Sequence, residues 1–168
     1  MKRIFTPWRK DYMAGERAPG CFLCTAAAAP AAQWPELLVL HRDASRLILL
    51  NKFPYTTGHL LLAPIAHAET PAVTDAALAE SLGRAQRALI EILLASYQPP
   101  GLNVGLNLGV AAGAGIADHY HWHLLPRWNG DSNFMGAIAE TRVLSETLEE
   151  TRTRLTPLIT AHPEFSES

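Results

Sequence analysis

The stretch that most constrains this chain is His119-Tyr120-His121-Trp122-His123-Leu124-Leu125-Pro126-Arg127-Trp128. Successive side chains of a strand point to opposite faces, so as a strand this segment lines up His119, His121, His123 and Arg127 on one side and Tyr120, Trp122, Leu124 and Trp128 on the other. The second face is apolar and suits a core. The first carries three imidazoles, which a fold has no packing reason to assemble. Residues two apart on a strand are separated by about 6.6 Å, so His119 and His123 lie about 13 Å apart, whereas two ligands of one zinc ion each sit about 2 Å from it. A neighbouring pair can share an ion; all three cannot. The constellation therefore divides into a ligand or positioning group at one end and acid, base or nucleophile work at the middle and far positions.

Bulk properties exclude several classes. At 168 residues the chain is one domain by size, and 48% hydrophobic against 18% charged residues describe a globular protein. A net charge of -2 without a long Lys/Arg run argues against a nucleic-acid polymer as partner, so any anionic ligand is met locally. The longest apolar stretches, such as Leu60 to Ile65, fall far short of the roughly 20 residues of a membrane span. The N-terminus meets Arg9-Lys10 before any apolar core region forms, which is no secretory signal, and a cytoplasmic location is the expectation. Two cysteines there do not suggest a stapling disulfide; Cys21-Phe22-Leu23-Cys24 reads as a redox pair, half of a metal site, or coincidence.

Taken in order, residues 1–20 read as an N-terminal arm whose Trp8 and Tyr12 pack on the domain or on a second subunit, 21–160 as the domain, and 161–168 as a C-terminal tail. Residues 25–34, rich in Ala and Pro, read as a surface connector or one helical turn. Glu36 to His41 and Arg46 to Leu50, separated by Asp43-Ala44-Ser45, suggest a hairpin, and His59 to Ala63 a third strand. From about Thr74 to Tyr97 apolar residues recur at three and four, with Thr74 or Asp75 as N-cap and Pro99-Pro100-Gly101 as stop. Leu102 to Leu108 alternate as a half-buried strand that leads through Gly109–Gly115 into the histidine segment. A weaker helix from about Ser145 to Leu155 follows, stopped or kinked by Pro157. The sum is an α+β pattern with a mainly antiparallel sheet, a long helix and a C-terminal helix.

His-x-His-x-His behind a glycine-rich run resembles the signature of the histidine triad (HIT) superfamily of nucleotide hydrolases and transferases, and the resemblance extends from about Cys21 to about Trp128. It implies a five-stranded antiparallel sheet with flanking helices, a nucleotide substrate and a homodimer. The continuation Pro126-Arg127-Trp128-x-Gly130-Asp131-x-Asn133-Phe134 resembles a bacterial branch that includes diadenosine polyphosphate phosphorylases. The expected activity is cleavage of a dinucleoside polyphosphate at the α-phosphate, with phosphate or water as acceptor. Phosphoramidate or nucleotidyltransfer chemistry, or nucleotide binding without turnover, are the alternatives.

Breaking a phosphoanhydride needs a nucleophile in line with phosphorus, stabilised phosphoryl oxygens and a steered leaving oxygen. Imidazole suits the first task because its neutral form is abundant near pH 7. His121, flanked by His119 and His123, is best placed for it, and the resemblance assigns it the same covalent role; His123 then contacts the scissile phosphate or leaving group, or is a plain hydrogen-bonding residue. Glycine-rich turns can cradle anions through backbone N–H groups, which singles out Gly113 and Gly115. Asn107 either donates to phosphate or ends its strand. By resemblance Asn51 contacts ribose, Leu49 and Leu61 wall the base pocket, and His59 supports the catalytic histidine from behind; read from the residues alone, Asn51 is equally a turn residue and His59 a strand-edge residue. Zinc-binding relatives use two cysteines, a Pro-x-x-His histidine and the first triad histidine, which implies Cys21, Cys24, His67 and His119 around a structural zinc. Arg127 binds phosphate if the strand persists past Pro126, unless Pro126 ends it. Many relatives place a Gln shortly after the glycines; here Ala114-Gly115-Ile116-Ala117-Asp118 has one residue more and no Gln.

Overall fold

The computed structural model describes residues 20–131 and 144–166. Trp8, Tyr12, Asn133 and Phe134 lie outside the described residues. Five strands form one antiparallel sheet in the order β1-β2-β3-β5-β4, with β1 Val39–Arg42, β2 Arg46–Leu50, β3 Leu60–Pro64, β4 Gly101–Gly105 and β5 Trp122–Arg127. Helices α1 Phe22–Ala28, α2 Ala76–Tyr97, α3 Leu148–Ala161 and α4 Pro163–Ser166 pack around it. This is the expected α+β architecture. None of the described helices is long and apolar enough to cross a membrane.

The central strands are buried on both faces, which is why they read as unbroken apolar runs. Ile48, Leu50, Leu60 and Leu62 join Leu82, Ala85, Leu89 and Leu93 of α2 on one side, together with Tyr120 and Leu124. Leu47, Leu49, Leu61 and Ala63 join Leu23, Ala26 and Ala27 of α1 on the other. Residues 25–34 divide: 30–33 are exposed and Ala31–Gln33 makes one helical turn, as expected, but α1 reaches Ala28, and Ala26 and Ala27 fill a shallow space over the sheet that larger side chains would overpack.

Turn chemistry fixes the hairpin. Asp43 Oδ1 accepts from the backbone N–H groups of Ser45 and Arg46, each at 2.8 Å, closing the turn between β1 and β2. The first strand starts at Val39 rather than Glu36, after Leu38 adopts a left-handed φ of 60°. Asp75 caps α2 by accepting from Leu78 N–H at 2.8 Å. The last long helix differs from expectation. It starts at Leu148 behind a Thr147/Glu150 capping box and runs through Pro157 to Ala161. An interior proline costs about 3 kcal/mol, and burial of Leu155 and Ile159 on either side of it offsets that cost.

Packing also continues beyond residue 160. Phe165 of α4 is 3% exposed in the core, its ring 5.3 Å beneath the Arg46 guanidinium, and Arg46 pairs with both Glu164 and Asp43. Phe165 thus belongs to the core although it lies in the segment expected as a tail, while Ala161, Pro163 and Ser166 are exposed. Burial opposes ionisation of Asp43, yet His41, the Ser45 and Arg46 N–H groups and the Arg46 guanidinium hold its carboxyl well below the usual range. Replacing Phe165 with Ala is expected to destabilise the fold by about 3–5 kcal/mol; an unchanged denaturant midpoint would contradict the packing role of α4.

Candidate active site

The histidine segment is only partly a strand. β5 begins at Trp122, and His119 to His121 precede it, with Tyr120 N–H donating to the Ala68 carbonyl at 2.8 Å. The two-faced pattern nevertheless holds: Tyr120 and Leu124 enter the core beneath α2, while His123 pairs with Leu61 of the α1-side cluster, His119 reaches the cysteines at α1, and the His121 ring lies against that of His123. Pro126 does not end β5, because it pairs with Leu102 and the strand reaches Arg127. β4 in turn stops at Gly105, short of the expected Leu108, since it is an edge strand whose Asn103 and Val104 are exposed.

Hydrogen bonds assign a different job to each imidazole. His119 Nε2 lies 2.9 Å from the Pro64 carbonyl, an acceptor only, so the proton sits on Nε2 and the Nδ1 lone pair faces Cys21 Sγ at 3.2 Å and Cys24 Sγ at 3.5 Å. Cys24 Sγ is in turn 3.2 Å from His67 Nδ1. The ligand atoms of Cys21, Cys24, His67 and His119 all lie within 4.8 Å of one another, close to the separations of about 3.3–3.8 Å that four tetrahedral ligands about 2.0–2.3 Å from a metal ion have. Local folding explains the convergence. Cys21 stands at the N-cap position of α1 and Cys24 in its first turn, three residues on and on the same side, while the last residue of β3 supplies the Pro64 carbonyl and the segment just after it supplies His67. These four residues could hold a metal ion.

His121 is arranged the other way round. Its Nδ1 is 3.0 Å from the His119 carbonyl, so Nδ1 carries the proton and Nε2 keeps its lone pair. The ring lies outside the cysteine cluster, 5.0 Å from His123 between centroids. His123 belongs to a relay: the Tyr55 backbone N–H donates to His59 Nδ1 at 3.1 Å, His59 Nε2 then donates to His123 Nδ1 at 2.9 Å, and the His123 proton is left on Nε2. The Tyr55 ring covers both imidazoles, 4.9 Å from His59 and 6.1 Å from His123. A lone pair on one ring and an N–H on the next is what nucleophilic attack with leaving-group donation requires.

Burial lowers the pKa of all three triad histidines. For His119 burial dominates, the Pro64 carbonyl opposing and the His67 and His121 charges adding to it; for His121 burial outweighs the bond to His119. Burial, reinforced by the neighbouring His121 charge, takes His123 down to about 4. The site therefore rests in its neutral form.

The other expected residues fall as follows. The row Val39, Leu49, Leu61, His123, Gly105 runs across the sheet, so Leu49 and Leu61 share the face of His123, and both are buried. The row ends in a glycine, and a Cβ at Gly105 would meet nothing within 4 Å, which leaves open space beside His123. Asn51 acts as a turn residue, its Oδ1 accepting from Phe53 N–H at 2.9 Å and its Nδ2 lying 3.4 Å from His59 Nδ1. Asn107 is half-buried just beyond β4. In the glycine loop Gly109 and Gly113 take φ of 78° and 86°; the N–H of Gly113 is spent on the Val110 carbonyl at 3.0 Å, so Gly113 turns the chain while Gly115 lies nearer the triad in sequence. Arg127 makes a two-pronged bond to Asp131, at 2.6 and 2.7 Å, and also reaches Asn103, so its charge is engaged within the fold. Tyr55 had no sequence signal, because its backbone N–H does the work and any residue except proline supplies one.

With this fold and site, the match of the HIT domain signature to residues 32–130 places the chain in the histidine triad (HIT) family. A Mycobacterium tuberculosis protein named AP-4-A phosphorylase is 36% identical over 161 residues, covering 90% of this chain and 81% of its own. Protein hit of Bacillus subtilis is 29% identical, covering 74% and 81%. Among solved structures, a Zn-bound histidine triad family protein from Mycobacterium smegmatis superposes with a TM-score of 0.64 at 25% identity, covering 83% of this chain and 92% of that one.

The histidine relay sets a pH dependence. An unfolded chain protonates His123 near its ordinary 6.5, but the folded chain does so only at about 4. Between these values the unfolded state binds more protons, so stability falls as pH is lowered through the window. Denaturant midpoints measured across it should slope downward toward acid, and the slope should flatten in a His123→Gln variant; equal slopes would contradict the assignment.

Proposed function

We propose that this chain is a nucleotide phosphorylase/hydrolase that cleaves dinucleoside polyphosphates at the α-phosphate through a covalent nucleotidyl-His121. The observation that carries this is the bond from His121 Nδ1–H to the His119 carbonyl, which puts the proton of a neutral ring on Nδ1 and leaves Nε2 with its lone pair. The relative named AP-4-A phosphorylase, similar over 90% of this chain, supports the substrate class.

In this reading His121 Nε2 bonds to the α-phosphorus as the bridging P–O bond to the β-phosphate breaks. The leaving oxygen accepts a hydrogen bond from His123 Nε2–H, whose orientation His59 holds, and departs as the ATP anion with the proton kept on the imidazole. The positive charge left on His121 is shared with the His119 carbonyl through Nδ1–H. Attack of inorganic phosphate on the N–P bond releases ADP, so diadenosine tetraphosphate plus phosphate gives ADP plus ATP; with water the second product is AMP. Leu49 and Leu61 wall the base side, Asn51 reaches ribose from its turn, and Gly115 and Asn107 offer donors to phosphate oxygens. Incubation with diadenosine tetraphosphate, with and without phosphate, followed by nucleotide chromatography should show ADP and ATP in the first case. His121→Ala should lower the rate by at least about 10³-fold, and a variant retaining full activity would eliminate the covalent route.

The metal held by Cys21, Cys24, His67 and His119 is, in this reading, zinc, supported by the Cys2His2 donor set and by the Zn-bound relative. When bound it supplies a closed tetrahedral crosslink without an open coordination position. Its ligands tie the start of α1 to the end of β3 and to the residue whose carbonyl orients His121. Elemental analysis should give one zinc per chain, and Cys24→Ser should reduce that content and lower the unfolding midpoint; full stability in metal-free protein would rule the role out. A homodimer is supported by edge strand β4 and the exposed apolar side chains of Val104, Leu108 and Val110 on and beyond it.

A further inference from the structure

Behind the His59–His123 pair lies a second polar cluster, formed where the chain approaches α3. Ser145 N–H donates to Thr57 Oγ1 at 3.1 Å, and the two hydroxyl oxygens are 3.0 Å apart. Thr57 is 7% exposed, so this hydroxyl is shielded from solvent. One residue on, Glu146 accepts from the Tyr97 phenol at 3.0 Å and pairs with Arg154 at 2.6 Å, and the Arg154 guanidinium lies 5.3 Å from the centre of the Tyr97 ring. Burial, and then the Glu146 carboxylate, push the Tyr97 phenol up, so it stays a donor at neutral pH.

Tyr97 in turn presses on the residue before His59. Gly58 has φ of +76°, and a Cβ there would meet Tyr97 Cε2 at 2.8 Å and Pro126 Cγ at 3.2 Å. The turn from Tyr55 to Gly58 has to bring a backbone N–H to within 3.1 Å of His59 Nδ1 and aim Nε2 at His123. Phe53 and Tyr55 on this turn are exposed, so burial of their side chains does not fix its shape. Beside the Asn51 Oδ1 bond to Phe53 N–H and the Tyr55 ring against His59, the turn is braced by Thr57 to Ser145 and by Gly58 against Tyr97, and Tyr97 is itself fixed by Glu146.

We propose that Thr57 and Ser145, backed by Tyr97 and Glu146, are positioning residues that hold the Tyr55–Gly58 turn so that His59 is aimed at His123. The approach to the C-terminal helix thereby becomes part of the machinery that orients the leaving-group donor. The proposal rests on the reading that this relay serves nucleotide cleavage.

Thr57→Val removes the hydroxyl at nearly constant volume, Thr57→Ser restores it, Ser145→Ala keeps only the backbone N–H, and Tyr97→Phe leaves the ring on Gly58 but cuts the link to Glu146. Two measurements on the full chain read the result: steady-state cleavage of diadenosine tetraphosphate, and the proton and nitrogen resonances of the His59–His123 N–H in protein labelled at histidine nitrogen. Thr57→Val should lower kcat by about tenfold with KM little changed, because small misalignments of a catalytic group cost rate rather than binding. The bridging N–H signal should broaden or vanish, Thr57→Ser should recover both, and Ser145→Ala should give an intermediate loss. If Thr57→Val does not fold, Ser145→Ala and Tyr97→Phe carry the test. Folded variants with unchanged kcat and an unchanged N–H signal would overturn the proposal, as would a loss that Thr57→Ser does not recover. If the unsubstituted protein cleaves nothing, the nucleotide-cleavage reading fails, and the N–H signal alone decides whether the clamp exists.

Discussion

The 3.0 Å bond from His121 Nδ1 to the His119 carbonyl is the contact on which the site depends. It decides which nitrogen of the central imidazole carries the proton, and so whether a lone pair or an N–H points outward. The same residue that offers this carbonyl turns its own side chain into the cysteine cluster and gives its remaining proton to Pro64. Backbone and side chain of His119 thus serve two centres at once. This is a physical reason for two histidines spaced by one residue to have unlike roles although they share a face.

A second set of constraints reaches the same few atoms from the opposite direction. His59 comes from the start of β3, and its Nδ1 is occupied by the Tyr55 backbone, so only Nε2 is available for His123. The sheet order puts β3 beside β5, with Leu61 opposite His123, and so brings the two segments together through strand pairing. Buried apolar rows on either side of β2 and β3 hold that register, since a one-residue slip would send Leu61 and Ala63 to the wrong layer. Packing energy in the sheet is in this way converted into alignment at the imidazoles.

Much of this was legible in the chain. The alternation of Tyr120 and Leu124 with histidines announced two faces, the 3.6-residue spacing of Leu82, Leu89 and Leu93 announced the long helix, and Asp43 announced its turn. The contacts that escaped are those with no local signature. Pro157 signalled a break, but the burial of Leu155 and Ile159 outweighs it, which only the tertiary packing reveals. The alanines of α1 looked like a surface linker because alanine is common in both settings, and Phe165 lies in a short polar stretch that gives no periodic pattern. Thr57 and Ser145 are 88 residues apart, and each alone is an ordinary hydroxyl. Arg127 illustrates the reverse case: its charge suggested a ligand for phosphate, and the fold gives it Asp131 instead.

The glycine that ends the row through Leu49, Leu61 and His123 has a further consequence. The space beside His123 is open on this side because the residue paired with it carries no side chain. The backbone at Gly105 is held by pairing with β5, so that opening is set by the sheet itself. A ligand seated there would not have to order this strand first, and its association would escape that part of the entropic cost.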